Sequence, residues 1–202
     1  NLPEQSGVLD GSEFQQAVSQ VTSAASRDET LPILTGVRME LEGSNISLLA
    51  TDRYRLALRE FSWKPSKSDV SAVALVRAKT LSDTAKSLGA GDVTIALSSG
   101  QGVDLVGFEA GGLVTTSLLM DGDYPQVRRL FPDESPVTAV VKTTELIEAT
   151  RRVALVTERN SAVRLAFAEG EVTLDAGQTD DAQASEALEC TLDGDPITVA
   201  FN

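Results

Sequence analysis

Alternation of apolar and polar residues dominates the chain. Val37-Arg38-Met39-Glu40-Leu41-Glu42, Val93-Thr94-Ile95-Ala96-Leu97 and Val163-Arg164-Leu165-Ala166-Phe167 each predict a strand with one face in a core. Shorter runs predict strands at Ile46–Ala50, Leu56–Phe61, Ser71–Val76, Val103–Val106, Val114–Leu118, Val137–Val141, Val172–Leu174 and Ile197–Phe201. Polar, glycine-bearing clusters separate them, such as Glu42-Gly43-Ser44-Asn45 and Ser98-Ser99-Gly100-Gln101-Gly102, and these read as hairpin turns. Three stretches follow the helical period instead. One runs from about Ser12 to Ser26, with Phe14, Ala17, Val18, Val21 and Ala25 on one face and Asp10 and Glu13 as its N-terminal cap. A second runs from about Ala78 to Leu88, striped by Ala78, Leu81, Ala85 and Leu88 and stopped by Gly89. The third runs from about Thr144 to Thr157, with Leu146, Ala149, Thr150 and Val153 facing inward.

The same pattern recurs along the chain. A shift of 132 superposes Phe14 on Leu146, Ala17 on Ala149, Val21 on Val153 and Arg27 on Arg159. A shift of 126 superposes Val37 on Val163, Arg38 on Arg164, Leu41 on Phe167, Ile46 on Val172 and Ala50 on Ala176. Between the copies lies the polar, proline-bearing stretch Asp133-Glu134-Ser135-Pro136, the expected linker. The expected organisation is therefore α+β, with a complete domain over 1–132, a linker over 133–136 and a second domain over 137–202. The first domain carries strand-helix-strands twice. The second carries only one such half, which implies a fragment of a longer protein.

Composition narrows the chemistry. The chain has 202 residues, of which 42% are apolar and 23% charged, enough for a sizeable core and too apolar for disorder. No run of about 18 uncharged apolar residues is present, so no membrane-spanning helix is expected. The single cysteine, Cys190, has no internal disulfide partner and fits a cytoplasmic setting. Histidine is absent, which removes Ser-His-Asp and Cys-His nucleophile systems and every His-ligated metal site. No cofactor is expected. Carboxylate-based catalysis survives, with Asp52, Asp121 or Asp123 holding magnesium, as does a sheet-rich adaptor that binds proteins and not DNA. Net charge is −13, from 17 basic and 30 acidic residues, and no Lys or Arg follows Arg164. Bulk electrostatics therefore oppose nucleic-acid binding, and such a role needs a local basic surface.

Two constellations stand out. Thr51, Asp52, Arg53 and Arg55 sit at a strand junction. They read either as a turn in which Asp52 satisfies backbone N–H groups or as an anchor for a partner peptide. The cations Arg27, Arg77, Lys79, Lys86, Arg151 and Arg152 sit on or beside the helices and read either as solvated helix faces or as one positive face. Asp121, Asp123 and Asp133 read either as metal ligands or, since they lack calcium-loop spacing, as a solvated turn. The adjacent Arg128 and Arg129 read either as a phosphate clamp or, as expected here, as two side chains that point apart and pair locally.

Leu31-Pro32-Ile33-Leu34-Thr35-Gly36-Val37, then Ala50-Thr51-Asp52-Arg53-Tyr54-Arg55-Leu56-Ala57, then Asp121-Gly122-Asp123-Tyr124-Pro125 running on to Arg128-Arg129-Leu130-Phe131-Pro132, resemble the β sliding clamps of bacterial DNA polymerase III. The resemblance covers the family's second domain and the first part of its third. It implies the DNA-clamp fold, with an outer antiparallel sheet and helices on the inner face. It implies a non-catalytic processivity factor that closes head to tail into a homodimeric ring around duplex DNA. The expected partners are the replicative polymerase, the clamp loader and other proteins carrying clamp-binding peptides. Residue by residue it places a peptide groove at Leu34, Thr51, Arg55, Leu56, Pro125, Arg129 and Leu130, and a subunit contact at Leu155 and Val156. Leu34, Leu56, Pro125 and Leu130 would supply an apolar well for a leucine or phenylalanine anchor. Arg53-Tyr54 fill the motif's variable pair. The family completes the groove with a segment beyond Asn202, so a half-open, shallow site is expected here.

Overall fold

A computed structural model describes residues 5–98, 104–157, 161–179 and 182–201. Asn202, Arg159 of the repeat, Val103 of its expected strand and the turn residues 99–102 lie outside the described residues. The chain divides into two compact units, Asn1–Phe131 and Pro132–Asn202. The first runs β1 (Gln5–Asp10), α1 (Gly11–Thr22), β2 (Gly36–Glu42), β3 (Asn45–Thr51), β4 (Leu56–Ser62), β5 (Lys64–Pro65), β6 (Ser71–Arg77), α2 (Ala78–Leu88), β7 (Asp92–Ser98), β8 (Leu105–Ala110) and β9 (Leu113–Leu118).

Period-2 burial fixes the core face of the sheet ordered β4-β3-β2-β6. Val37, Met39 and Leu41 of β2 lie beside Ile46, Leu48 and Ala50 of β3, all essentially inaccessible to solvent. α1 lays Phe14, Ala17, Val18 and Val21 on this layer, and Phe14 meets the Phe61 and Phe108 rings at 6.4 and 5.7 Å between centroids. Burying a side chain of this size contributes about 1.5–3 kcal/mol. The Asp10 carboxylate caps α1 by accepting the Glu13 N–H at 2.8 Å. α2 packs beside α1 and ends at Gly89, whose φ of +75° suits a residue without Cβ.

The unit's two halves exchange strands. The second sheet is ordered β5-β1-β7-β8-β9, so β1 of the first half pairs with β7 of the second. Reciprocally, β6, which leads the second half, pairs with β2 of the first. Gly7 is required in β1 because a Cβ there would lie 2.5 Å from the Trp63 ring, which is itself anchored by Nε1–H donating to the Gly43 carbonyl at 2.8 Å.

The second unit runs β10 (Thr138–Val141), α3 (Thr143–Val153), β11 (Val163–Ala168), β12 (Gly170–Thr179), β13 (Ala182–Asp193) and β14 (Ile197–Phe201), in one sheet ordered β10-β13-β12-β11-β14. It repeats the first half of the first unit. The order β4-β3-β2-β6 returns as β13-β12-β11-β14. Register returns too: Arg38 opposite Leu49 and Leu41 opposite Ile46 become Arg164 opposite Asp175 and Phe167 opposite Val172. Val37 opposite Val76 becomes Val163 opposite Phe201. α3 rests on β12 and β13 as α1 rests on β3 and β4. Every pairing among the described strands is antiparallel, so the class is α+β. No helix among the described residues is long and apolar enough to cross a membrane.

Several elements differ from the pattern reading. The third helix is α only to Val153 and continues as a 3-10 turn, Ala154–Val156. Thr150 is exposed, because α3 buries only the narrow stripe of Ala149 and Val153, with Leu146 half-buried beside it. The strand expected at Val103–Val106 runs instead over Leu105–Ala110, carrying Gly107 in its interior. β1, β5 and β13 have no counterpart in the alternation reading.

Candidate functional site

The sheet β4-β3-β2-β6 is covered on its second face as well, which is why β3 is buried at six successive positions. That outer face carries Arg38 and Glu40 of β2, Ser47, Leu49 and Thr51 of β3, Leu56, Leu58 and Glu60 of β4, and Leu75 of β6. The segment after β9 lies over it. Tyr124 and Val127 are buried against Leu49 and Leu75, with Ile33, Leu56, Leu58, Met120 and Phe131 packed around them. The Met120 N–H donates to the Leu75 carbonyl at 2.8 Å. Arg128–Leu130 form a 3-10 turn at the end of this cover.

Beyond that backbone bond, two side-chain connections tie the cover to the sheet. The Tyr124 hydroxyl accepts the Thr51 N–H at 2.9 Å in a buried setting. Burial pushes the Tyr124 phenol above its ordinary value, although the Thr51 N–H partly offsets this. The Arg128 guanidinium reaches Glu40 at 3.4 Å and also pairs with Glu60. Glu40 pairs with Arg38 at 2.6 Å, and Glu60 accepts from the Ser47 hydroxyl at 3.1 Å. A chain of polar groups thus crosses β2, β3 and β4.

The junction from Thr51 to Leu56 is held mainly by its own short-range bonds. The Thr51 hydroxyl donates to the Arg55 carbonyl at 2.8 Å and accepts the Arg53 N–H at 3.1 Å. Asp52 Oδ1 accepts the Tyr54 and Arg55 N–H groups, and Oδ2 accepts Arg55 Nε–H at 3.0 Å. Slight burial pushes the Asp52 carboxyl up, but the two N–H donors and the Arg55 charge outweigh it and hold the group below its usual value. Asp52 therefore does what an Asx turn requires. Arg53 is left at φ +79°, an uncommon left-handed conformation for a side chain of its size.

Of the expected groove residues, Thr51 is buried, Leu56 is half-buried in the outer cluster and Arg55 is exposed. Pro125, Arg129 and Leu130 are exposed on the cover, Leu130 at 62%. Leu34 is almost fully buried, and it is its neighbour Ile33 that packs into the outer cluster. Arg128 and Arg129 do part company, but Arg128 pairs with carboxylates far away in sequence. Tyr124, Arg128, Glu40 and Glu60 were not singled out for this region. Their only sequence trace is the position of Tyr124 inside the Asp-Gly-x-Tyr-Pro segment and of Arg128 four residues later.

Four cations of the first unit, Arg27, Arg77, Lys79 and Lys86, lie beside the helices. Arg27, Arg77 and Lys79 line a cleft of about 410 Å3 together with one carboxylate, Glu29, and with Thr22, Ser26, Thr35 and Ser82. Lys86 lines a groove of about 400 Å3 between α1 and α2 with Gln15, Gln16 and Ser19. Lys79 also pairs with Asp83 at 2.9 Å, an exposed pair of little strength. In the second unit Arg151 is exposed, whereas Arg152 is engaged by Glu186 through two bonds of 2.6 and 2.7 Å. Leu155 is 83% exposed, and Val156 packs partly on that unit's core. Asp121 and Asp123 are exposed, and no group of three or more potential metal ligands occurs among the described residues.

Comparison with known proteins bears on the family and the fold. Residues 8–126 match the family described as DNA polymerase III beta subunit, central domain, and residues 128–202 match its C-terminal domain. A beta sliding clamp of Micrococcus luteus is 57% identical over 193 residues, covering 95% of this chain and 62% of the relative. One from Streptomyces coelicolor is 55% identical, covering 100% and 54%. The crystal structure of a DNA polymerase sliding clamp from Bacillus subtilis superposes with a TM-score of 0.86 at 27% identity, covering 100% of this chain and 53% of that one. The chain spans roughly half to three-fifths of the length of these proteins.

Proposed function

The chain belongs to the DNA polymerase III β-subunit family, and from that premise we propose that it is part of a sliding clamp, a non-catalytic ring around duplex DNA. The first unit supplies the ring's middle domain and the second unit the first part of its third, joined through 133–136. The full-length protein closes head to tail as a homodimer in the cytoplasm, with Leu155 and Val156 at the subunit contact. The observation that carries this reading is the gathering of Arg27, Arg77 and Lys79 around one cleft in a protein of net charge −13. A ring retains DNA by topology, so it needs only a few sequence-independent phosphate contacts, and weak contacts let it slide. Arg27, Arg77, Lys79, Lys86 and Arg151 make those contacts. Arg152 contributes less, because its fork is occupied by Glu186.

The outer cluster serves the second task, tethering the replicative polymerase, the clamp loader and other proteins. Their short peptides insert an apolar anchor between Leu56 on one side and Pro125 and Leu130 on the other, whereas Leu34, almost fully buried, offers such an anchor no surface. Thr51, Arg55 and Arg129 orient the peptide's polar groups. An exposed leucine next to an exposed arginine, Leu130 after Arg129, is the composition of an interface anchor.

The test is retention. The full-length protein, loaded on closed circular DNA, stays bound through gel filtration, and linearising the circle releases it. Equal retention on both forms indicates ordinary affinity binding and overturns the clamp reading. Absence of binding to either leaves the adaptor that never engages DNA.

A further inference from the structure

We propose that Tyr124 and Arg128 are positioning residues for the peptide groove. They brace the cover segment that carries Pro125, Arg129 and Leu130 at a fixed height over the sheet that carries Thr51 and Leu56. The inference rests on the groove reading above and adds to it residues that touch no peptide.

Each brace joins the cover to the sheet beneath it, and the first meets a groove residue directly. Tyr124 sits directly before Pro125, and its hydroxyl accepts the N–H of Thr51 at 2.9 Å in the buried interior. Arg128 sits directly before Arg129 and holds Glu40 and Glu60, which lie on the outer face of β2 and β4. Between the braces, Val127 is buried in the apolar layer with Leu49 and Leu75. Tyr124 and Val127 are buried against the sheet and Arg128 reaches its carboxylates, while Pro125, Arg129 and Leu130 remain exposed.

The chemistry explains why these residue types serve. Backbone N–H groups at the end of an edge-flanked strand need a partner when buried, and a phenol can supply one from another element. Phenylalanine could fill the same volume but would leave the Thr51 N–H unpaired in a dry layer. Arg128 is half-exposed and its pairs alone are weak. Its effect is geometric. The guanidinium fork meets two carboxylates on different strands, and those are themselves fixed by Arg38 and Ser47, so the 3-10 turn has little freedom to slide. A site held in its binding geometry loses less ordering entropy when the peptide arrives, and the gain appears mostly as slower dissociation.

The experiment measures binding of a short fluorescein-labelled peptide with a Leu-Phe anchor to the full-length protein by anisotropy and stopped flow. Tyr124→Phe weakens binding about fivefold and Arg128→Met about threefold, both chiefly through faster dissociation. Leu130→Ala serves as the direct-contact control. Tyr124→Phe also speeds amide exchange at Thr51 while α1 and α2 amides keep their protection. For the ionic brace, Glu60→Arg combined with Arg128→Glu recovers affinity relative to either single reversal, which loss of fold stability does not predict. Wild-type dissociation rates in Tyr124→Phe and Arg128→Met, beside a weakened Leu130→Ala, overturn the brace and leave the groove standing. No binding by the wild-type protein overturns the groove reading, and with it the role given to the brace.

Discussion

The first half of the first unit and the second unit are the same arrangement in two settings. Strand order and register match, from Arg38 opposite Leu49 to Arg164 opposite Asp175. Burial does not match. α1 packs on β3 and β4 with α2 beside it, and Phe14, Ala17, Val18 and Val21 are all hidden from solvent. α3 rests on β12 and β13, with only Ala149 and Val153 fully buried among its residues. Val140, Ile147, Leu155, Ile197 and Phe201 are exposed in the second unit. The difference teaches that register is written locally, in the alternation and turns of each half. Deep burial comes from the neighbouring half, here through α2 and the exchanged strands.

The comparison breaks most directly at Phe14 and Leu146, which occupy the same place in the repeat. Phe14→Ala is expected to destabilise the first unit by about 3–5 kcal/mol, and Leu146→Ala the second by no more than about half as much. Urea unfolding followed by tryptophan emission from Trp63 for the first unit, and by far-UV dichroism for both, measures this. Equal losses would mean that helix burial is not what separates the units.

Capping sharpens the contrast with a smaller effect. Asp10 caps α1 through the Glu13 N–H, whereas Lys142 heads α3 with no side-chain cap and Glu145 waits three residues on. Asp10→Ala is expected to cost the first unit about 1 kcal/mol, and Lys142→Ser to stabilise the second by up to about 1 kcal/mol by completing a Ser-x-x-Glu capping box. The Lys142–Glu145 pair that is lost is solvent-exposed and worth little. An unchanged midpoint for Lys142→Ser would show that fraying at the start of α3 does not limit the second unit.

Protonation gives the smallest effect. Asp52 in the first unit and Glu186 in the second are both held below their ordinary values of 3.8 and 4.5. For Glu186 the cause is chiefly the Arg152 hydrogen bond. A depressed carboxylate stabilises the fold above its ordinary value, and that contribution fades as pH falls through the lower, folded value. Asp52→Asn and Glu186→Gln should therefore each differ from wild type at neutral pH and converge on it in acid. Added salt should shrink the Glu186→Gln difference more, since Asp52 depends on backbone donors as well as on charge. A pH-independent gap would assign these carboxylates a purely steric role.

Much of this was legible in the residues, and the misses have physical causes. α2 appears at its expected ends because Gly89 stops an apolar stripe of unambiguous period. β13 escapes notice because its inward positions include Ala184, Glu186 and Cys190, small or polar residues that blur the alternation. β1 is masked by Gly7, which is set by the approach of Trp63, a partner in another strand. At the candidate groove, the Thr51–Leu56 turn was readable because its bonds are local. The Tyr124 and Arg128 connections were not, because their partners, Thr51, Glu40 and Glu60, are brought near only by the finished sheet.

The exchanged strands also set the order in which the protein can be made. On a ribosome, Val8 emerges well before its ladder partner Thr94, which follows only after α1, the whole first sheet and α2. At roughly 5–20 residues per second, β1 waits several seconds with its edge unpaired. Until then β1 has no β7 to pair with, while β2 and β3, joined by a short turn, have each other at once. Synthesis pauses placed after β7 are expected to be harmless where pauses before it are not, a contrast that the yields of folded protein from messages slowed on either side of β7 would show.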